Sequence, residues 1–212
     1  MIEILHIFLY FSFLPLFVFT SLDCSTIDKR SDDKQLNDSN VFFHNEFFPV
    51  SVGNQWHYSI ENPGKEKDKY DVEITDQENV GDEIKVVFNS FPFFWLKEEK
   101  TTLIGKESGD VYIIDENKNE NLLIPRDSDI REGFTWEMGE WNASIISTHE
   151  KVKTMNVDYE DCVHINYTIS ISFNSELWLS KNTGIVKWGF NRTNPPSLNF
   201  TYYLLDKFES KH

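Results

Sequence analysis

The chain has 212 residues, and its 35 acidic and 20 basic side chains give a formal net charge of −15 at pH 7. This balance argues against nucleic-acid binding, because contacts to phosphate need a basic face. Aromatic residues make up 15% of the chain, with 18 Phe. That composition favours strands, whose half-buried pleated surface suits aromatic and β-branched side chains.

Residues 1–24 have the pattern of an export segment. The run from Ile4 to Leu22 is 19 residues long and carries no Asp, Glu, Lys or Arg. Its length lies between that of a secretory core, about 7–15 residues, and that of a membrane span, about 20 residues. Pro15 favours a cleaved signal, because it would bend a spanning helix. No Lys or Arg precedes the run, which keeps a retained anchor as the alternative.

Cys24 follows the apolar run directly, in the sequence Ser21-Leu22-Asp23-Cys24. The placement resembles a bacterial lipoprotein signal, in which the cysteine becomes the lipidated amino terminus of the mature protein. Cys24 is therefore the candidate lipidation site. The alternatives are a free thiol or a disulfide with Cys162, the other cysteine of the chain. Cysteine counting does not decide among them.

Residues 25–41 are predicted to be a disordered tether. Between residues 25 and 40 the apolar side chains are Ile27 and Leu36, and charges of both signs are mixed. Such a stretch cannot bury enough surface to offset the entropy lost on ordering. A lipid or an anchor followed by this tether would hold a domain near a membrane.

Residues 42–210 are predicted to form a single β domain. Turn signals and period-two alternation predict strands in chain order: Gln55 to Glu61, Tyr70 to Ile74, Ile84 to Phe88, Val111 to Ile113, Phe134 to Met138, Cys162 to Phe173, Leu177 to Leu179, Ile185 to Phe190 and Asn199 to Phe208.

The clearest of these strands runs from Cys162 to Phe173. Its alternation predicts one apolar face, which includes Val163, Ile165 and Tyr167, and one wet face, which includes Cys162. A pattern of that length favours an antiparallel strand with one solvated face. Many short strands separated by turns predict an all-β domain, a strongly curved antiparallel sheet or partly closed barrel.

Four segments together resemble exported bacterial lipoproteins of unknown function. The opening segment, Phe48 to Tyr58, reads FPVSVGNQWHY. The second segment is Gly133 to Trp136, and the two closing segments are Tyr159 to Val163 and Thr183 to Lys187. The resemblance implies a β-rich envelope protein, and it transfers no catalytic residue. Read physically, Gly53 permits a positive φ in a turn, and Trp56 then buries in the core.

The segment Phe91 to Leu96 is the most suggestive functional feature, since it joins apolar residues around Pro92, which disfavours a central strand. Phe93, Phe94 and Trp95 are the candidate rim of an apolar ligand site. The alternative is that they fill the core of the domain, because exposed apolar patches of that size are rare on monomers.

Motifs for catalysis or metal binding are weak. Asp115, Asn117, Asn119 and Asn121 have calcium-loop spacing, but Glu120 stands where that loop needs Gly, so we interpret them as a hairpin tip. His57, His149 and His164 lack metal-ligand spacing, and we expect no cofactor. Five Asn-X-Ser/Thr triplets are interpreted as chance occurrences; they begin at Asn37, Asn142, Asn166, Asn191 and Asn199.

The sequence therefore predicts a non-enzymatic protein of the bacterial cell envelope, exported and tethered to the membrane. Its β domain is expected to bind an apolar ligand or a protein partner. The alternatives are an envelope hydrolase, whose acidic catalytic residues the sequence does not identify, and a structural assembly subunit.

Overall fold

The computed structural model describes residues 43–61, 69–91, 100–170, 173–191 and 201–211, all within one compact unit that spans Ser39–His212. These residues form twelve β-strands. In chain order they are β1 Gln55–Glu61, β2 Lys69–Val80, β3 Glu83–Phe88, β4 Thr101–Lys106, β5 Val111–Ile114, β6 Glu120–Ile124, β7 Thr135–Met138, β8 Trp141–Lys153, β9 Asp158–Ser170, β10 Phe173–Ser180, β11 Gly184–Asn191 and β12 Thr201–Glu209.

The strands form one antiparallel sheet in the order β6-β5-β4-β3-β2-β1-β12-β11-β10-β9-β8-β7. Strands that are consecutive in sequence pair with each other, except β6 and β7, which form the two edges of the sheet, and β1 also pairs with β12, so the first and last strands meet at the middle of the sheet. The sheet curls into a nearly closed barrel. The edge strands β6 and β7 approach each other along a seam.

The predicted all-β class and the partly closed barrel are confirmed. Within the described ranges the single helical element is a 3-10 turn at Asp127–Asp129. No helix in this part of the chain is long and apolar enough to cross a membrane. The predicted export segment, 1–24, and the predicted tether, 25–41, lie outside the described residues.

Two glycines make the turns that the sequence indicated. Gly53 has φ of +87° and Gly184 has φ of +84°, a left-handed conformation that costs glycine little because it has no Cβ. Gly53 precedes β1 and Gly184 opens β11. Each glycine therefore sets the start of a strand that supplies core residues.

Trp56 and Tyr58 on β1 confirm the interpretation of Trp56 as a core residue. They are 4% and 2% exposed. The indole Nε1 of Trp56 donates to Thr183 O at 2.6 Å, and the hydroxyl of Tyr58 donates to Ile185 O at 2.8 Å. Both rings therefore fill the barrel and also satisfy the polar atoms that they bury.

Two aromatic side chains bridge the seam between β6 and β7. The indole of Trp136 donates from Nε1 to Leu122 O at 2.9 Å, and the hydroxyl of Tyr167 donates to Leu123 O at 2.8 Å. Tyr167 is fully buried, and burial raises the pKa of its hydroxyl well above the ordinary value. Tyr167 is therefore a stable donor to the edge strand β6.

Large and small side chains alternate along the row that contains these two residues. Register partners across the sheet are Trp136 with Ala143, Ala143 with Tyr167, Tyr167 with Ser175, and Ser175 with Phe190. The small residues Ala143 and Ser175 are both buried. Alternation of this kind lets neighbouring layers interdigitate, and Ala143 leaves space for the large rings on either side.

Residues 43–54 pack across the end of the barrel where β1 begins, which we name the lower end. Asn45 is 7% exposed, and its Nδ2 donates to Gly109 O in the turn between β4 and β5 at 2.8 Å. Phe47 and Phe48 are 4% and 5% exposed. This segment, the N-terminal plug, fills the lower end of the core.

The predicted strand from Cys162 to Phe173 is wrong at both ends. β9 runs from Asp158 to Ser170, and Phe173 begins β10. Cys162 was predicted on a wet face but is fully buried, next to the buried Val163. The pairing of β8 with β9 shifts register here, and Asp161 has φ of +51°; such bulges change which face a side chain occupies.

We expect Tyr167→Phe to lower the free energy of unfolding by about 1–3 kcal/mol, because Leu123 O loses its buried partner. Amides of β6 should also exchange hydrogen faster. Chemical denaturation and hydrogen exchange measure the two effects. Tyr112→Phe is the control, since Tyr112 is half-buried and outside the seam, and it should change stability by less than about 0.5 kcal/mol. Equal effects of the two substitutions would contradict a bridging role.

Candidate functional site

Four aromatic side chains line the inner face of the barrel towards the end where β1 stops, which we name the upper end. They form the aromatic wall: Tyr70, Trp188, Phe190 and Tyr203. The rings of Trp188 and Tyr203 stack at 3.8 Å with an interplanar angle of 2°. Tyr70 meets the edge of Trp188 at 5.7 Å, and Phe190 stacks on Trp188 at 6.0 Å.

Register explains why these residues face one another. Trp188 pairs directly with Tyr203, and Tyr70 pairs directly with the buried Tyr58 of β1. Directly opposed residues in an antiparallel pair share a face of the sheet. Because β2, β11 and β12 lie on the two sides of β1 in the sheet order, curvature turns the inner faces of these strands towards each other.

The wall differs in exposure from the core below it. Tyr70, Phe190 and Tyr203 are half-buried, whereas Trp188 is 4% exposed. Below the wall, the cavity among Phe48, Trp56, Tyr58, Val72, Phe88, Phe91, Gly184 and Ile185 holds about 10 Å³. That volume is about one water at most. This cavity is therefore too small to hold an apolar ligand.

The hydroxyl of Tyr70 is already committed to the protein. It donates to Phe91 O at 3.1 Å. Burial raises the pKa of Tyr70, and a hydrogen bond with Ser90 opposes that rise. Tyr70 is therefore a protonated donor that fixes the chain directly after β3.

The indole of Trp188 is the polar group of the wall that lacks a partner. Its Nε1 is buried and makes no hydrogen bond. Other indoles differ: Trp56 donates to Thr183 O, Trp136 to Leu122 O, and Trp178 donates to Glu150 Oε2 at 2.6 Å. Buried indole N–H groups usually find a partner, so Trp188 marks an incompletely satisfied site.

The outer face of the sheet carries a group of polar and aromatic residues that we name the outer-face cluster: Glu150, His164, Glu176, Trp178 and Lys187. The His164 ring stacks on Trp178 at 4.2 Å, and its Nδ1 lies 2.9 Å from Glu150 Oε1. Lys187 Nζ lies 4.2 Å from the centre of the Trp178 ring. These contacts join β8, β9, β10 and β11 on the outside of the barrel.

Contacts in the outer-face cluster shift the pKa of Glu150. Burial raises the pKa of Glu150, but hydrogen bonds from Trp178 and His164 and the nearby Lys187 ammonium outweigh burial, and the pKa is lowered. The ionised carboxylate is therefore the form that the fold stabilises.

The predicted site residues Cys24, Phe93, Phe94 and Trp95 lie outside the described residues. Phe91, which opens the predicted apolar segment, is 5% exposed and packs edge-on against Phe88 at 5.2 Å. The start of the segment therefore belongs to the core. The rim role of Phe93, Phe94 and Trp95 stays a prediction.

Cys162 is a free and fully buried thiol. Burial, reinforced by the nearby carboxylates of Glu150, Asp161 and Glu160, raises its pKa to about 11. A thiol of that kind is unreactive, since the thiolate is the nucleophile. Cys162 therefore acts as a core residue of β9.

The structure places the predicted triplets and hairpin tip as follows. Asn191 is 5% exposed, so its side chain is not accessible to a glycan in the folded protein, whereas Asn142 is exposed.

Asp115 joins β5 to β6 and accepts hydrogen bonds from Asn117, Asn119 and Asn121. These bonds, mainly those from Asn119, lower the pKa of Asp115. The hairpin-tip interpretation is confirmed.

The histidines lie in separate contacts. His57 Nδ1 lies 2.7 Å from Asp71, and His149 Nδ1 lies 3.2 Å from Asp161, while His164 belongs to the outer-face cluster. Among the residues described, no group of three or more His, Cys, Asp or Glu side chains is placed to hold a metal ion.

The fold has a counterpart among solved structures. A "putative exported protein with YmcC-like fold" from Bacteroides fragilis aligns with a TM-score of 0.52 at 13% identity, over 79% of this chain and all of that one. A "putative lipoprotein" from Parabacteroides distasonis aligns with a TM-score of 0.46 at 11% identity, over 78% of this chain and 99% of that one. The first likeness shows a shared fold.

No family model matches the chain, and no curated protein matches it.

The aromatic wall was not predicted as a site from the sequence. Alternation marks Tyr70 as an inward residue of its strand, but it does not show which distant strands become neighbours. The pairing of β1 with β12, which brings the wall together, joins the two ends of the domain.

We expect acid to remove a stabilising contribution of Glu150. Its pKa is lower in the folded than in the unfolded chain, so the contribution is complete above the unfolded value, about 4.3, and is lost as pH falls through the folded value. The free energies of unfolding of wild type and Glu150→Gln should therefore differ at neutral pH and converge as the pH falls through the folded pKa of Glu150. Denaturant titrations across that range measure the difference.

Glu137→Gln is the control for this titration, because Glu137 is exposed on β7. This substitution should change the free energy of unfolding by less than about 0.5 kcal/mol. A pH-independent effect of Glu150→Gln would show that the carboxylate is not the stabilised form.

Proposed function

We propose that the chain is an exported protein of the bacterial envelope, tethered to the membrane, whose barrel binds an apolar ligand at its upper end. The export segment, with Cys24 directly after Leu22, supports the tether. The shared fold with a Bacteroides fragilis chain whose own description is that of an exported protein is consistent with this location.

The aromatic wall carries the binding part of the proposal. Three of its four rings are half-buried, although the same barrel packs its lower part down to a cavity of about 10 Å³. Aromatic side chains bury large areas and dominate the energetics of apolar contacts. A face of this kind suits an apolar molecule.

The wall favours binding over catalysis. Its members are aromatic rings whose polar atoms are two phenol hydroxyls and one indole, without a carboxylate or an imidazole. Acid–base catalysis usually relies on such groups with a pKa near the working pH. We therefore propose a carrier or sensor of an apolar molecule. Phe93, Phe94 and Trp95 would extend the wall as its rim.

Cys24→Ala should release the protein from the membrane fraction of a bacterial host, because acylation needs the thiol. Fractionation and the mass of the mature amino terminus measure this. Cys162→Ala is the matched control and should leave the protein in the membrane fraction, since Cys162 is a buried residue of the barrel. Wild-type protein in the cytosol would overturn the location. A leader retained in the wild-type protein would replace lipidation with an anchor.

The purified full chain should take up the neutral apolar dye N-phenyl-1-naphthylamine, with a rise in dye fluorescence. Phe190→Ala should weaken dye binding by roughly threefold to tenfold, the effect expected for losing one aromatic contact. Ile146→Ala is the control, since Ile146 is an apolar residue 49% exposed away from the wall, and it should leave binding unchanged. Absence of dye uptake, together with a ligand-free mass in native mass spectrometry, would overturn the binding role.

A further inference from the structure

A cavity of about 220 Å³ lies beside the seam at the upper end of the barrel, and we name it the tip cavity. Its walls are the two hairpin tips on either side of the seam, which join β5 to β6 and β7 to β8. Its lining residues lie within 113–121 and 138–141, parts of the chain that the structure describes without a gap. None of these residues belongs to the aromatic wall, so the tip cavity is a separate site.

The tip cavity has an apolar floor and an acidic mouth. Ile113, Met138 and Trp141 line it and are buried. Glu116 and Glu140 also line it, one on each tip, and both are exposed. Lysine and arginine side chains suit such a surface, because they bury an aliphatic stem against apolar atoms and keep the charged head in a polar environment.

The two carboxylates at the mouth are available to a ligand. Among the residues that the structure describes, neither Glu116 nor Glu140 makes an ion pair or a side-chain hydrogen bond. Asp115 lines the cavity too, but its carboxylate oxygens already accept hydrogen bonds from Asn119 and Asn121. Asp115 therefore adds negative charge, and a direct ion pair with a bound cation falls to the two glutamates.

The volume fits a single side chain. A cavity of about 220 Å³ has room for about seven waters at their share of liquid volume, whereas sites for drug-sized ligands hold about 300–1,000 Å³. The walls also stand close together, since a Cβ on Gly139 would lie 3.1 Å from Oδ1 of Asn121 across the seam. A short aliphatic stem with a cationic head matches these limits, and a long acyl chain does not.

We propose that the tip cavity is a docking site for a lysine or arginine side chain of a partner protein. The aliphatic stem packs on Ile113, Met138 and Trp141, and the cationic head lies between Glu116 and Glu140. Both tips carry exposed residues, so a protein surface can reach the mouth. The partner presents a basic surface, which complements the net charge of −15 on this chain.

Capped glycine tripeptides test the proposal, with lysine, arginine, norleucine or glutamate as the central residue. The wild-type full chain should bind the lysine and arginine peptides with dissociation constants on the order of 1–10 mM. That binding should be roughly twofold to fivefold tighter than binding of the norleucine peptide, the range expected for an exposed ion pair. The glutamate peptide should bind most weakly. Amide chemical shifts of the lining residues, followed by NMR, measure each affinity.

Glu140→Gln should reduce the preference for lysine over norleucine, and the double variant with Glu116→Gln should abolish it. Binding of the norleucine peptide should stay unchanged in both, which shows that the cavity is still formed. Glu137→Gln is the matched control, because it removes the same charge from an exposed position that does not line the tip cavity. This variant should keep the wild-type preference.

The opposite results are equally clear. Absence of saturable shifts at the tip cavity with the lysine and arginine peptides overturns the proposal, and so does equal binding of the norleucine peptide. Equal loss of preference in Glu137→Gln also overturns it, since the overall charge of the chain would then explain the selectivity. Tighter binding of free butylammonium than of the lysine peptide would assign the cavity to a small amine instead of a protein. None of these outcomes bears on apolar binding at the aromatic wall.

Discussion

Closure of the seam between β6 and β7 is the constraint on which the barrel depends. A sheet with one apolar face buries that face by curling, and its two edges then have to meet or remain unpaired. Here the bridge comes from side chains, because Trp136 and Tyr167 reach the carbonyls of Leu122 and Leu123. The buried Ala143 lies between the two rings in the row. Side-chain reach at this point therefore limits the distance between the two edges and the curvature of the sheet.

A second set of contacts fixes the middle of the sheet, where the first and last strands pair. Trp56 and Tyr58 of β1 donate across the core to Thr183, which directly precedes β11, and to Ile185 of β11. The segments Phe48 to Tyr58 and Thr183 to Lys187 are thus bonded to each other in space. The ring sizes in the first segment and the carbonyl positions in the second therefore depend on one another.

The sequence predicted the fold class and many strands, but its errors have identifiable causes. The bounds of β1 were correct, because Gly53 imposes a turn and alternation follows it directly. β4, β6 and β8 were not predicted. In β4 the residues Leu103, Ile104 and Gly105 are buried in succession, and a Cβ on Gly105 would lie 2.5 Å from the Phe43 ring of the N-terminal plug. Because a segment distant in sequence packs against β4, consecutive residues of this strand are buried. β4 therefore lacks the alternation of apolar and polar residues by which a strand is recognised in a sequence.

The aromatic wall was not predicted for a different reason, since its residues come from strands that are distant in sequence. The N-terminal plug and the rings below the wall fill the lower end of the core. On the outer face, Trp178 is hydrogen-bonded and stacked, with Lys187 over its ring. On the inner face, Trp188 is equally buried and stacked, yet its N–H stays unpaired. The same residue type therefore makes a hydrogen bond on one face of the sheet and makes none on the other, so Trp178 stabilises the outer face through its N–H whereas Trp188 contributes to the inner face through ring stacking alone.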